Sequence, residues 1–234
     1  MSPASENENV LLIGASRGLG LAIAQEYIDR GARVVATVRG QVPTALNDLR
    51  ETAGGRLEIE HGDINKTDEI RDLRDRLGAR RFDLLFVVAG VTNGQEETVA
   101  DVPTDEFVRL MVTNALSPMR AIETLGGLVA PDGTVAIMSS GQGSIANNNR
   151  GGFEIYRASK SALNQLMRSY AARHAGDSRT LLLLAPGWVK TELGGPGARL
   201  TIGESIPSLV TTIDAQHGRP GLQFLDYQGQ TVPW

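Results

Sequence analysis

Short apolar runs alternate with longer amphipathic stretches along this chain, and that rhythm limits the folds open to it. Val10–Ile13, Arg33–Val38, Leu57–Glu60, Leu84–Ala89, Thr134–Met138 and Thr180–Leu184 lack polar alternation, so each reads as a strand covered on both faces. Leu222–Leu225 reads as a last strand. Helical patterns fill the gaps at Leu19–Arg30, Pro43–Thr52, Thr67–Leu77, Thr104–Val129 and Phe153–Ala175. Pro103 before a helix, and Gly31, Gly78 and Gly176 after theirs, are fitting start and stop signals. Strand–helix alternation on short connections implies βαβ units and a parallel sheet with helices on both sides. No linker-like stretch or internal repeat divides the sequence, so residues 1–234 are expected to form one doubly wound α/β domain with about seven parallel strands. Ligands of such sheets bind beyond the carboxyl ends of the strands.

Composition narrows the function. The 234 residues are 41% hydrophobic, enough for a packed core, and 23 basic against 27 acidic residues give a net charge of −4. That mildly acidic balance argues against a nucleic-acid or membrane-surface partner. The absence of cysteine excludes disulfides, thiolate metal sites and cysteine nucleophiles. Met1–Asn9 is polar and acidic, unlike a secretory signal, and no apolar run approaches the ~20 residues of a spanning helix. The expectation is a soluble, cytoplasmic protein. His61, His174 and His217 are far apart without an acidic partner pattern, so no metal site is expected.

The first strand runs into Gly14-Ala15-Ser16-Arg17-Gly18-Leu19-Gly20. Glycines between a strand and a helix let the backbone N–H groups and the helix N-terminus approach a phosphate. The same letters fit G-x-S-x-G, the nucleophile elbow of a serine α/β-hydrolase, with His174 and His217 as downstream bases. That elbow requires earlier strands, and only nine residues precede this one. After the second strand stands Arg39, where an NAD enzyme places a carboxylate for the ribose 2′-hydroxyl. Arg39 with Arg17 suits a 2′-phosphate instead, which favours NADP(H) over NAD(H).

Tyr156-Arg-Ala-Ser-Lys160 falls early in a helix, and its spacing puts Tyr156 and Lys160 on one face. The chain has four tyrosines and only three lysines (Lys66, Lys160 and Lys190), so an accidental pair at this spacing is improbable. A phenol beside a fixed ammonium is a workable proton donor. Ser139-Ser140 follows the fifth strand and offers a hydroxyl at the sheet edge for a carbonyl oxygen.

Taken together, Gly14-x-x-x-Gly18-x-Gly20, Asp63, Ala89-Gly90, Asn114, Ser140, Tyr156-x-x-x-Lys160 and Pro186-Gly187 resemble the short-chain dehydrogenase/reductase family over nearly the whole chain. Met138–Ile145, Gly151-Gly152, Pro186–Thr191 and Leu225–Trp234 resemble its sniffer/C-factor-like carbonyl reductase branch. The resemblance implies a Rossmann-type fold and hydride transfer between NADPH and the carbonyl of a small, fairly apolar molecule. It implies Tyr156 as general acid, Lys160 lowering its pKa and holding the nicotinamide ribose, Ser140 positioning the carbonyl, and Asn114 anchoring a proton-relay water. Gly14, Ser16, Arg17, Gly18, Leu19 and Gly20 would cradle the diphosphate, with Arg39 at the 2′-phosphate. Asp63 and Ile64 would frame the adenine; Ala89, Gly90, Pro186, Gly187, Val189 and Thr191 would line the rest of the cofactor. A homo-oligomer, dimer or tetramer, is the family's common state. Relatives of this fold also act as nucleotide-sensing or signalling proteins with little turnover. One departure stands out: Val88-Ala89-Gly90 replaces the family's Asn-Ala-Gly after the fourth strand.

Overall fold

The computed structural model describes residues 8–234, so most of the polar stretch Met1–Asn9 lies outside the described residues. The strands are β1 (Asn9–Ile13), β2 (Arg33–Val38), β3 (Leu57–His61), β4 (Phe82–Val87), β5 (Val129–Met138), β6 (Thr180–Ala185) and β7 (Gly221–Asp226). All pair in parallel, in the order β3-β2-β1-β4-β5-β6-β7. Order reverses at β1, with β2 on one side and β4 on the other, which opens a crevice at its carboxyl end.

Successive strand residues face opposite sides, so each strand feeds two cores. Leu11, Ile13, Leu85, Val87 and Ile137 pack with α3 (Thr67–Leu77), α5 (Ser117–Leu125) and α6 (Glu154–Arg173). Val10, Leu12, Leu84, Phe86 and Met138 pack with α1 (Gly18–Asp29), α2 (Ala45–Thr52) and α7 (Ile202–Asp214). The continuous apolar strands of the sequence are those of a sheet buried on both faces. No helix among the described residues is long and apolar enough to cross a membrane.

Three expectations need correction. The stretch read as one helix over Thr104–Val129 is α4 (Thr104–Met111), a π-helical turn at Val112–Leu116 and α5, and β5 already begins at Val129. The strand expected at Thr134–Met138 already begins at Val129, because a register shift opposite Phe82 and Leu84 absorbs Pro131-Asp132-Gly133 within β5. Helix α7 was not expected at all. Its Thr201/Glu204 capping box and the apolar spacing Ile206, Leu209, Val210, Ile213 were visible, but Pro207 and the glycines before it masked the pattern.

Candidate active site

The carboxyl edge of the sheet holds a cleft of about 870 Å³. At one end of it the chain turns sharply out of β1. Gly14 has φ +94, and a Cβ there would come within 2.9 Å of Ala89. A Cβ on Gly20 would lie 2.0 Å from the Gly14 carbonyl oxygen, so only glycine lets α1 start this close to β1. Gly14 N–H donates to Thr37 Oγ1 and Ala15 N–H to the Thr37 carbonyl, both at 2.9 Å, which fixes the turn against β2.

The space above Gly18 is open, no side chain caps the α1 N-terminus, and its first turn contains no acidic residue. Arg17 and Arg39 line this end of the cleft. Open backbone, free helix N–H groups and two guanidiniums fit a nucleotide diphosphate carrying a further phosphate. Arg17 reaches Glu192 at 2.7 Å across the mouth; both side chains are about 70% exposed. A pair so exposed contributes at most about 1 kcal/mol, so an arriving phosphate displaces it at little cost.

Gly14, Ser16, Arg17, Gly18, Leu19, Gly20, Arg39, Asp63, Ile64, Ala89, Gly90, Ser140, Tyr156, Lys160, Pro186, Gly187, Val189 and Thr191 all line this one cleft. Asn114 does not; it is fully buried behind Gly90, in the π-helical turn. Its Oδ1 accepts from Val91 N–H (2.9 Å), and its Nδ2 donates to the Val91 carbonyl (2.8 Å) and Ser159 Oγ (2.9 Å). Ser159 Oγ in turn donates to the Tyr156 carbonyl at 2.7 Å. Asn114 thus ties the loop after β4 to the turn of α6 that carries Tyr156. Val88, the departure from the family pattern, leaves the sheet tied by main chain: Val88 N–H and Ala89 N–H both donate to the Ile13 carbonyl.

The other end of the cleft is built by β5 and α6. Lys160 is 3% exposed and its Nζ donates to the Met138 carbonyl at 2.9 Å. Burial lowers its pKa to about 8. Lys160 Nζ sits 5.9 Å from the Tyr156 ring centroid. Burial raises the Tyr156 phenol above its ordinary value, and the nearby Ser140 hydroxyl pulls it down by less. The expected lowering by Lys160 is therefore not what dominates here: desolvation wins, and the phenol keeps its proton at neutral pH. The paired serines both line the cleft but separate in their partners: Ser139, 2% exposed, donates to Asn164 Oδ1 at 2.7 Å, while the Ser140 hydroxyl caps the short turn Gly141–Gly143 beside Tyr156.

Gln142, Phe153, Arg109 and Val232 also line the cleft, and sequence reasoning missed them. Among the described residues, Phe153 is the non-glycine residue in the left-handed region, φ +51, at the start of α6, its N–H donating to the Gln95 carbonyl at 2.9 Å. Its position three residues before Tyr156 was the available signal. Trp188, half exposed, proves to be cleft wall, with Nε1 donating to the Gly194 carbonyl at 2.8 Å. Neither His174 nor His217 lines the cleft; His174 stacks on Tyr170 near the end of α6. The hydrolase elbow thus has no base. Among the described residues no cluster could hold a metal ion.

Comparison with known proteins agrees with this geometry. Residues 8–198 match the model of the short chain dehydrogenase family. A crystal structure described as a short-chain dehydrogenase/reductase from Burkholderia multivorans with bound NADP superposes with a TM-score of 0.96 at 56% identity, covering 97% of this chain and 100% of that one. A carbonyl reductase from Pseudomonas aeruginosa, in complex with NADP, gives 0.90 at 41% identity, with 97% and 100% covered. The C-signal protein of Myxococcus xanthus is 36% identical over 154 residues, 65% of this chain and 92% of that protein. The chain belongs to the short chain dehydrogenase family.

Proposed function

We propose that this chain is an NADPH-dependent carbonyl reductase acting on a small, fairly apolar aldehyde or ketone. The observation that carries the reading is the convergence of Ser140, Tyr156 and Lys160 on one wall of the cleft that the glycine turn opens. Bound NADPH would supply the hydride. Tyr156, protonated at neutral pH, donates its phenolic proton to the carbonyl oxygen, and Ser140 donates a hydrogen bond to the same oxygen. Lys160, held by the Met138 carbonyl with its Nζ 5.9 Å from the Tyr156 ring centroid, stabilises the phenolate left behind. Gly14 to Gly20 bind the diphosphate, Arg17 and Arg39 the 2′-phosphate, and Asp63 with Ile64 frame the adenine. Exposed Trp188 and Leu193 give the substrate end an apolar rim. The relatives crystallised with NADP support the cofactor choice. We place the enzyme in the cytoplasm as a homo-oligomer, for which Val108 and Leu166 leave exposed apolar surface on α4 and α6.

The test is NADPH consumption with an aromatic aldehyde across pH. Lys160 acts as its ammonium, so the rate is expected to hold at neutral pH and to fall as pH rises past about 8. NADPH binding without turnover of any aldehyde, ketone or quinone would instead favour a non-catalytic nucleotide-sensing or signalling role on the same fold.

A further inference from the structure

Beyond β7 the chain reverses. Asp226 Oδ1 accepts from Gln228 N–H and Gln230 N–H, both at 2.9 Å, and Gly229 takes φ +78 to complete the turn. The returning strand lies antiparallel along β7, through a Leu225–Thr231 bridge and the Val232 N–H to Phe224 O bond of 2.8 Å. Val232, 8% exposed, is thereby set into the cleft wall. Trp234 then seats its ring between two elements. It meets Phe224 of β7 at 5.6 Å between centroids, and the Arg168 guanidinium of α6 lies 4.7 Å over it.

The main-chain oxygen of Trp234 accepts from Ala146 N–H at 3.0 Å. Residues 144–150 link Ser140 to the helix that carries Tyr156, and Asn147 among them lines the cleft. Their other hydrogen bonds are local turns, such as Asn147 N–H to Ser144 Oγ and Asn148 N–H to Ile145 O. Among the described hydrogen bonds, the Ala146–Trp234 contact is the one that ties this segment to a distant part of the chain.

We infer that Trp234 is a positioning residue for carbonyl binding: its seat on Phe224 and Arg168 holds residues 144–150 and Val232 as the far wall of the substrate end. The inference rests on the reductase reading for its effect on substrate, but not for the tie itself. Two variants separate the parts. Trp234→Ala keeps the main-chain oxygen and removes the ring that seats it; Arg168→Gln removes the cation over the ring and leaves no cavity. Trp234→Phe restores an aromatic seat.

Hydrogen exchange read peptide by peptide should quicken in residues 144–150 by about tenfold in Trp234→Ala, and by less in Arg168→Gln. The KM for an aromatic aldehyde should rise about fivefold with kcat within about twofold, NADPH affinity should stay at the wild-type value, and Trp234→Phe should recover most of the KM. Unchanged exchange at Ala146 in either folded variant overturns the tie. Quickened exchange with an unchanged KM, or a KM rise matched by lost NADPH affinity, overturns the positioning role. If Trp234→Ala fails to fold, Arg168→Gln and Trp234→Phe decide on the same readouts. A wild-type chain that reduces no carbonyl refutes the proposed activity and the substrate effect together, while exchange at Ala146 still decides the tie.

Discussion

Neighbouring serines at the end of β5 do different work because a strand sends successive side chains to opposite sides. Ser139 is spent on Asn164, whose Nδ2 holds the Gly143 carbonyl at 3.2 Å, so this buried pair shapes the turn after the strand. Ser140 is left facing the phenol. Ser140→Ala should therefore cut kcat about a hundredfold with little change in melting temperature. Ser139→Ala strands the Asn164 oxygen without a donor and should cost about 1–3 kcal/mol of stability while retaining most turnover. Steady-state kinetics beside thermal unfolding checks both; the reverse pattern would exchange their roles. The sequence placed a hydroxyl at the sheet edge, but residue types alone could not say which of the two turns its hydroxyl to Tyr156. That depends on strand register, and only the family resemblance favoured Ser140. The Tyr156–Lys160 pair needed no such help, because lysine is so scarce here that the spacing itself was informative. What the spacing could not supply was the sign of the phenol's shift, which burial decides.

At the level of elements, helix α1 is the most demanding part of the fold. Its first turn packs on the strand it has just left, and any side chain at Gly20 collides with main chain rather than with something that can swing aside. Gly20→Ala is expected to lower NADPH affinity at least about tenfold and to cost about 1–3 kcal/mol, from the backbone shift it forces. Nucleotide titration and thermal unfolding measure the two; wild-type affinity in this variant would remove the turn from the binding site. This element was legible because glycines at fixed spacing between strand and helix have few other uses. The π-helical turn at Val112–Leu116 was not. Nothing in Val-Thr-Asn-Ala-Leu signals an extra residue per turn, which here brings Asn114 to Val91 and Ser159 at once. Helix α7 was hidden for the opposite reason, since a proline in its second turn looks like a stop although its capping box was in plain view.

Across the whole molecule, the reversal of strand order at β1 divides the cleft into two territories. On the proposed function, the β1–α1 turn and the end of β2 form a nucleotide half, and β5, α6 and the segment returning from β7 form a reacting half. Seven strands alternating with helices made the sheet readable from apolar periodicity, and most of the residues expected at its carboxyl edge do line one cleft. The return of residues 227–234 to the cleft was beyond such reading, because the contact between Ala146 and Trp234 joins positions that no local pattern relates. Two separable halves make a sharp demand on the reductase account. Tyr156→Phe removes one hydroxyl from the reacting half and leaves the nucleotide half untouched. The direct measurement is paired: NADPH titrated by fluorescence onto wild type and Tyr156→Phe, then NADPH consumption with an aromatic aldehyde by each. The account predicts equal affinity and a loss of turnover of at least about a thousandfold. Turnover persisting in Tyr156→Phe, or a wild-type chain that does not bind NADPH, would contradict it.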